Sequence, residues 1–207
     1  ACAPFRRLHV CDKNLEQIKP HTITATHNLL VDVCMAAQFE GASIKGYYPK
    51  YQEKYKDTGS TMCTMLARSF ADIGDIVRGK DLFRGYNEKD QQGKAKLQQN
   101  LKDIFAKIHS DVMKTSGSNG QALQTRYNGD KDPNFFQLRE DWWDANRAKV
   151  WYAMTCGAPD NAEYFIKTAC GGGTTPTNKK CRCVSTDPPT YFDYVPQYLR
   201  WFEEWAE

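Results

Sequence analysis

The sequence has little of what catalysis or metal binding needs. It contains four histidines, His9, His21, His27 and His109, and none sits in a His-Glu-x-x-His arrangement, which leaves a zinc hydrolase without its ligands. No Gly-x-Ser-x-Gly elbow is present to hold a serine nucleophile. Gly171-Gly172-Gly173 lacks the Gly-Lys-Ser/Thr ending that would set a lysine on a phosphate, so it reads as a loop. Asp130, Asp132 and Asn134 stand at the first three ligand positions of a calcium loop. Phe135, however, occupies the place that needs glycine, and Asp141 replaces the bidentate glutamate. That stretch reads as a charged turn ending in a helix cap. Asp72 and Asp75, three apart on a helix, read as solvated or capping carboxylates rather than an acid/base pair. No cofactor is expected, and no enzyme.

Other absences narrow the class further. There is no run of about 18 apolar residues, so no helix of this segment is expected to cross a bilayer. No segment shows the period-two alternation of a half-buried strand. The 28 basic and 25 acidic residues leave a net charge of +3, too balanced for a nucleic-acid binder. No leader peptide opens the chain at Ala1, and Glu207 falls inside a helical pattern without a stop signal. Both ends read as cut, with the targeting signals elsewhere.

What the sequence does contain is cysteine. Eight are present, Cys2, Cys11, Cys34, Cys63, Cys156, Cys170, Cys181 and Cys183, in a polar chain whose aromatic content of 13% can still build a core. An even number in such a chain points to disulfides and an oxidising compartment. Zinc knuckles want Cys-x2-4-Cys pairs, whereas the one close pair here is Cys181-Arg182-Cys183, with no histidine nearby. Eight cysteines allow on the order of a hundred pairings, so composition leaves the connectivity open.

The periodicities are helical. Residues 1–20, with two cysteines and two prolines, read as an irregular stapled segment. A helix is predicted from Thr22 to about Gly41, followed by a tyrosine-rich connector around Pro49. Ser60 or Thr61 is placed to cap a second helix, whose Met62, Met65, Leu66, Phe70, Ile73 and Val77 recur three and four apart before Gly79. Glu88 to Thr115 carries a clean stripe of Leu97, Leu101, Ile104, Phe105, Ile108 and Val112, and a flexible break is predicted at 116–120. Asn134 is placed to cap a helix running to about Cys156, with Phe136, Trp143, Val150 and Met154 on one face and Trp142 and Trp151 widening it. Residues 157–190 read as loop. A last helix starts near Pro196 and is predicted to bury Val195, Tyr198, Leu199, Phe202 and Trp205. The fold class is all-α, a disulfide-stapled bundle of long helices with irregular loops.

Four of these stretches carry a likeness. Cys2-Ala-Pro-Phe-Arg-Arg-Leu-His-Val-Cys11 resembles the opening cysteine motif of Duffy-binding-like domains. Ala67-Arg-Ser-Phe-Ala-Asp-Ile-Gly-Asp-Ile-Val-Arg-Gly79 resembles their most characteristic helix, and Trp142-Trp-Asp-Ala-Asn-Arg-Ala-Lys-Val-Trp-Tyr-Ala-Met-Thr-Cys156 their tryptophan helix. Asp193-Tyr-Val-Pro-Gln-Tyr-Leu-Arg-Trp-Phe-Glu-Glu-Trp205 is similar to the segment that opens the late helix. The motifs keep the family's order and span nearly the whole chain. Their wording is closest to the alpha class found in the malaria parasite's erythrocyte membrane protein 1.

The resemblance implies an extracellular, antigenically variable adhesion module on the infected red-cell surface, part of a larger membrane-anchored protein. It would bind a host cell-surface receptor, protein or sulfated glycan, in sticking to endothelium or to uninfected red cells. The alternative is a structural and antigenic head segment whose neighbour makes the receptor contact. It also implies that residues 1–20 end a loop-rich first subdomain and that 21–207 form a helical second one, cut short at its C-terminal end, with the third absent. It implies a bridge from Cys63 to the Cys181/Cys183 pair, with Cys34, Cys156, Cys170 and the other member of the pair forming two more. Cys2 and Cys11 are left either unpaired here or paired with each other. Some alpha-class relatives bind anionic glycans, which makes the basic cluster Lys179, Lys180 and Arg182 the candidate contact, ahead of Lys94, Lys96, Lys102 and Lys107 on one helix and Arg6 and Arg7 near the start.

Overall fold

The structure, a computed structural model, describes residues 2–23, 25–55, 61–128 and 133–207. Within them the chain is helical: α1 (Phe5–Leu8), α2 (Lys13–Glu16), α3 (Thr26–Tyr55), α4 (Met62–Arg78), α5 (Glu88–Lys114), α6 (Ser118–Asn128), α7 (Phe136–Met154) and α8 (Gln197–Ala206). Among the described residues the only β pairing is two isolated bridges, Cys170 with Thr175 and Asn178 with Arg182. The all-α class is the one that the periodicity predicts. No described helix is long and apolar enough to cross a membrane.

Local chemistry explains most boundaries. The Thr61 hydroxyl accepts the amide of Thr64, the usual way an N-cap satisfies an orphan donor, and Gly79 ends α4 in the left-handed region at φ 76°. Ser60, the other candidate cap, lies outside the described residues. Asn87 caps α5 by accepting from the Asp90 amide, and Glu88 and Asp90 in that first turn favour the positive end of the helix dipole. The calcium-like Asp130 and Asp132 also fall outside the described residues. Phe135, rather than Asn134, is the cap residue of α7, in the left-handed region at φ 57°.

Two boundaries depart from the sequence reading. The first long helix passes through Gly41 and Pro49 and reaches Tyr55, so the tyrosine connector is helix. The Pro49 ring lies on its exposed side, where the amide that proline lacks has the least packing to disturb. The break at 116–120 is short, because α6 already starts at Ser118.

The core lies where α3, α4 and α7 meet. Phe70 of α4 is held between two indoles of α7, 5.1 Å from Trp143 and 5.3 Å from Trp151. Phe105 of α5 meets Trp142 edge-on at 6.1 Å. Both tryptophans of the Trp142-Trp143 pair are therefore buried core. Two glycines allow the close packing. A Cβ at Gly41 would lie 2.0 Å from the Met154 carbonyl oxygen, and one at Gly74 would lie 2.8 Å from the Trp143 ring. Val10, Leu15 and Ile18 from the N-terminal segment belong to the same apolar cluster.

The last helix inverts its expected orientation. It buries Gln197, Arg200 and Trp201, while Tyr198, Leu199, Phe202 and Trp205 face outward. The reason is the charge network that Arg200 completes on α4, described next.

Candidate functional site

The most ordered chemistry in the molecule is sealed inside it. Asp72 of α4 is buried and accepts hydrogen bonds from Arg6 at 2.8 Å, Arg200 at 2.9 Å and Gln197 at 3.0 Å. One turn on, Asp75 accepts from Arg78 at 2.8 Å and Arg200 at 2.5 Å. Arg200 also reaches the Val195 carbonyl, which ties α8 to the turn before it. Asp193 in that turn takes the Trp143 indole N–H at 2.8 Å and two donors of Arg147, at 2.7 and 2.8 Å. The two aspartates of the characteristic helix are thus neither solvated nor capping: they are the buried carboxylates around which α1, α4 and α8 are keyed, while Asp193 ties in α7.

Their environments push them in opposite directions. Burial alone would raise Asp72, but Arg6, Arg200 and Arg7 hold its carboxyl at about 2. Burial dominates at Asp75 and pushes it up to about 6, against the pull of Arg200 and Arg78. Paired groups with separated acidities can serve catalysis. These two are bonded to arginines and a glutamine that hold helices together, and they line neither described cavity.

Four cysteines form two bridges, Cys63–Cys181 and Cys170–Cys183. The first ties α4 to the loop after α7, and the second closes that loop on itself. Cys34 and Cys156 remain as thiols, as do Cys2 and Cys11. This corrects the expectation that Cys34 and Cys156 join the disulfide set. The geometry gives the reason. Helices α3 and α7 run alongside each other, with Cys34 in the field of Lys149, Gly41 against Met154, and Gly157 near Lys45. Cys156 is therefore level with residue 44, ten residues beyond Cys34. At about 1.5 Å rise per residue that is roughly 15 Å, about twice the Cα separation a disulfide spans. Nor is there an activated thiol among the half-buried pair. Burial, and then the Glu40 carboxylate, push Cys11 up to about 11, and burial raises Cys34.

The basic cluster at 179–182 is dispersed by the same loop. Arg182 stacks on Tyr152, 3.6 Å from the ring centroid, and donates to the Thr155 hydroxyl and the Tyr152 carbonyl, both at 2.8 Å. Lys180 reaches the Cys156 carbonyl at 3.3 Å and Asp160 at 4.0 Å. Lys179 alone of the three has no partner. Arg6 and Arg7 are likewise committed, to Asp72 and Glu204 and to Asp81. On α5, Lys94 is taken by Asp12 and Glu16, and Lys107 by the Pro20 carbonyl. Lys96 and Lys102 remain without partners. Most of the cations that stood out in the sequence therefore hold the scaffold.

Two surfaces that sequence reasoning missed stay open to solvent. One is the outward face of α8 with its preceding turn: Tyr191 (68% exposed), Tyr198, Phe202 (73% exposed) and Trp205. Its amphipathic pattern was visible, but the buried arginine network reversed which side faces in. The other is a recess of about 540 Å³ between the segment after α4, the polar side of α5 and the start of α7. Its residues come from three distant stretches, so no linear motif announces it. Among the described residues no His/Cys/Asp/Glu group is placed to hold a metal ion.

Residues 1–200 match the Duffy binding domain family. The chain is 23% identical to the Duffy receptor of Plasmodium vivax (strain Salvador I) over 99% of its own length and 15% of the receptor's. Among solved structures it is similar to the NTS-DBL1(alpha-1) domain of the Plasmodium falciparum membrane protein 1 from the varO strain. That likeness has 43% identity and a TM-score of 0.78, over all of this chain and 43% of that one. It is also similar to the DBLbeta domain of IT4var13 PfEMP1 in its structure bound to ICAM-1, with 35% identity and a TM-score of 0.69, over all of this chain and 44% of that one. The chain thus spans less than half of the solved chains it matches.

Proposed function

The chain belongs to the Duffy binding domain family, and from that premise we propose that it is part of an extracellular adhesion module on infected red cells that engages a host cell-surface receptor. The observation that carries this reading is the likeness, over the whole chain, to a domain solved bound to ICAM-1. The architecture suits the role. A scaffold fixed by buried ion pairs and two bridges leaves surface residues free to vary without disturbing the core. The exposed aromatics of α8 and its turn belong to the residue types that dominate protein–protein contacts.

That same face favours a second reading, in which the segment is a structural and antigenic part of the head. Its aromatics then dock on the neighbouring polypeptide, and the receptor contact lies elsewhere. One experiment separates the two. The oxidised chain, alone and within the complete domain of its own protein, is passed over immobilised endothelial receptor ectodomains and an unrelated ectodomain. Saturable binding by the chain alone supports receptor contact within it. Binding only by the complete domain supports the structural reading, and binding by neither defeats the adhesion proposal.

A further inference from the structure

We infer that the junction of α1, α4 and α8 at Arg6 is a force-bearing clamp: tension drawn between the two ends of the chain falls on it first, and its opening frees α8 while the helical core stays closed. The inference rests on the adhesion reading for its use, since a tether between cells carries load.

The two ends of the chain meet at one place. Arg6 sends a two-pronged fork to Glu204, with Nε 3.0 Å from one carboxylate oxygen and a terminal nitrogen 2.8 Å from the other. The same guanidinium donates to the Ser69 hydroxyl at 2.9 Å and to Asp72 at 2.8 Å, so one side chain joins three helices. Beside it the Trp205 indole donates to the Cys2 carbonyl at 3.0 Å. Arg68 of α4 holds both carboxylate oxygens of Glu207, at 2.9 and 2.7 Å. A second row lies behind, where Asp81 accepts from Arg7 and from Gln197, again one residue from each end. Residues 198 and 203 apart in sequence are thus fastened directly to each other.

What holds α8 is suited to resisting tension. Of its large apolar side chains only Trp201 is buried, while Tyr198, Leu199, Phe202 and Trp205 face outward. The helix is moored by hydrogen bonds and ion pairs, which weaken steeply with small displacements. A contact that fails over a short distance withstands a large force before it opens, because work is force times distance. The Arg6 side chain is 8% exposed and that of Asp72 fully buried, so little water competes for their bond.

The path of the force continues past the clamp in a defined way. With α1 and α8 peeled off, α4 and α7 stay packed through Phe70, Trp143 and Trp151. The Cys63–Cys181 bridge then carries the tension across the fold and spares the residues between its two cysteines. In the varO relative the matched stretch is 43% of the solved chain, so there it lies within a longer polypeptide.

The test stretches the full oxidised chain between handles fused to its two ends, at constant force in optical tweezers. Two events are expected. The first lengthens the chain by roughly 100 Å, the reach of residues 2–12 and 191–207 at about 3.5 Å each. The second brings the extension to roughly 300 Å, the reach of the residues outside the Cys63–Cys181 bridge. Glu204→Ala with Trp205→Phe, neither residue buried, should speed the first event at least about tenfold at a given force, the worth of a bond to a charged group. Phe105→Leu, in the core between α5 and α7, should speed the second event and leave the first unchanged. A first event at the wild-type rate in the double variant, one that Phe105→Leu speeds equally, or a single rupture releasing the whole length would each overturn the clamp. Receptor binding enters none of these readings, so their failure leaves the adhesion reading standing, and loss of ectodomain binding leaves the clamp standing.

Discussion

Gly41 of α3 lies directly against the backbone of Met154 in α7: a methyl group at position 41 would sit 2.0 Å from the Met154 carbonyl oxygen and 3.0 Å from its carbon. Backbone has nowhere to retreat without parting two helices of the core. Gly41→Ala is therefore expected to cost at least ~3 kcal/mol, beyond the usual range for overpacking because the obstacle is main chain. Gly46, five residues along the same helix, faces open space. Gly46→Ala should be neutral or stabilise by up to about 1 kcal/mol, by removing glycine's entropy cost in a helix. Urea unfolding of the two variants checks this, and equal effects would mean that the helices are not in contact at Gly41.

The same glycine shows where the sequence was legible and where it was not. The stripes of α4 and α5 were readable because each turns its longest apolar residues inward, Phe70 and Ile73 in one, Leu101 and Phe105 in the other. Gly41 resembles a stop signal in sequence, but its role is close approach to α7, which depends on a partner more than 100 residues away. Helix α8 fails for another reason. Its apolar residues outnumber those on the opposite side, yet Arg200 finds two buried carboxylates and takes Gln197 and Trp201 inward with it. Hydrophobic periodicity cannot register an ion pair across 125 residues. The recess between the segment after α4, α5 and the start of α7 was hidden in the same way, since its lining comes from three stretches distant in sequence.

Asp193 is the second point where one side chain sets several elements. Its carboxylate is fully buried and accepts three donors, from Trp143 and Arg147. Asp193→Ala leaves the Arg147 guanidinium buried without its charge partner, and removing one member of a buried pair costs about 3–5 kcal/mol. Asp193→Asn should lose almost as much, since it keeps the shape without the charge. A double cycle with Arg147→Met distinguishes charge from packing. If Arg147→Met restores nothing to Asp193→Ala, the unpaired cation is not the source of the loss.

The two bridges should differ in weight. Cys63–Cys181 closes a separation of 118 residues, and Cys170–Cys183 only 13. Loop-closure entropy then gives about 5 kcal/mol for the first and about 3 kcal/mol for the second. Paired serine substitutions compared by thermal unfolding should rank in that order. Titration of the unreduced, denatured chain should find four free thiols, those of Cys2, Cys11, Cys34 and Cys156. A count of two would mean that a further bridge forms, either Cys2 with Cys11 or Cys34 with Cys156, and only the second would contradict the packing of α3 on α7.

Acidity separates the two aspartates of α4, with opposite signs. Asp72 is held at about 2 in the fold, below its ordinary value of 3.8, so its contribution is complete above pH 4 and is lost as pH falls toward 2. Asp75 is raised from 3.8 to about 6, so between those values the folded chain binds more protons than the unfolded one. Its contribution is fully present below pH 4 and is lost as pH rises to about 6. Stability of the wild type measured by urea at steps from pH 3.5 to 7 should therefore fall relative to Asp75→Asn across 4 to 6, and the difference should then level off. Subtracting the variant cancels the titrations common to both chains, Asp72 and the surface carboxylates included. A difference that instead widened in favour of the wild type with rising pH would mean that Arg78 and Arg200 outweigh burial. Asp75 would then be held ionised as Asp72 is, and the pairing with Arg200 would be the stronger of the two contacts that draw α8 inward.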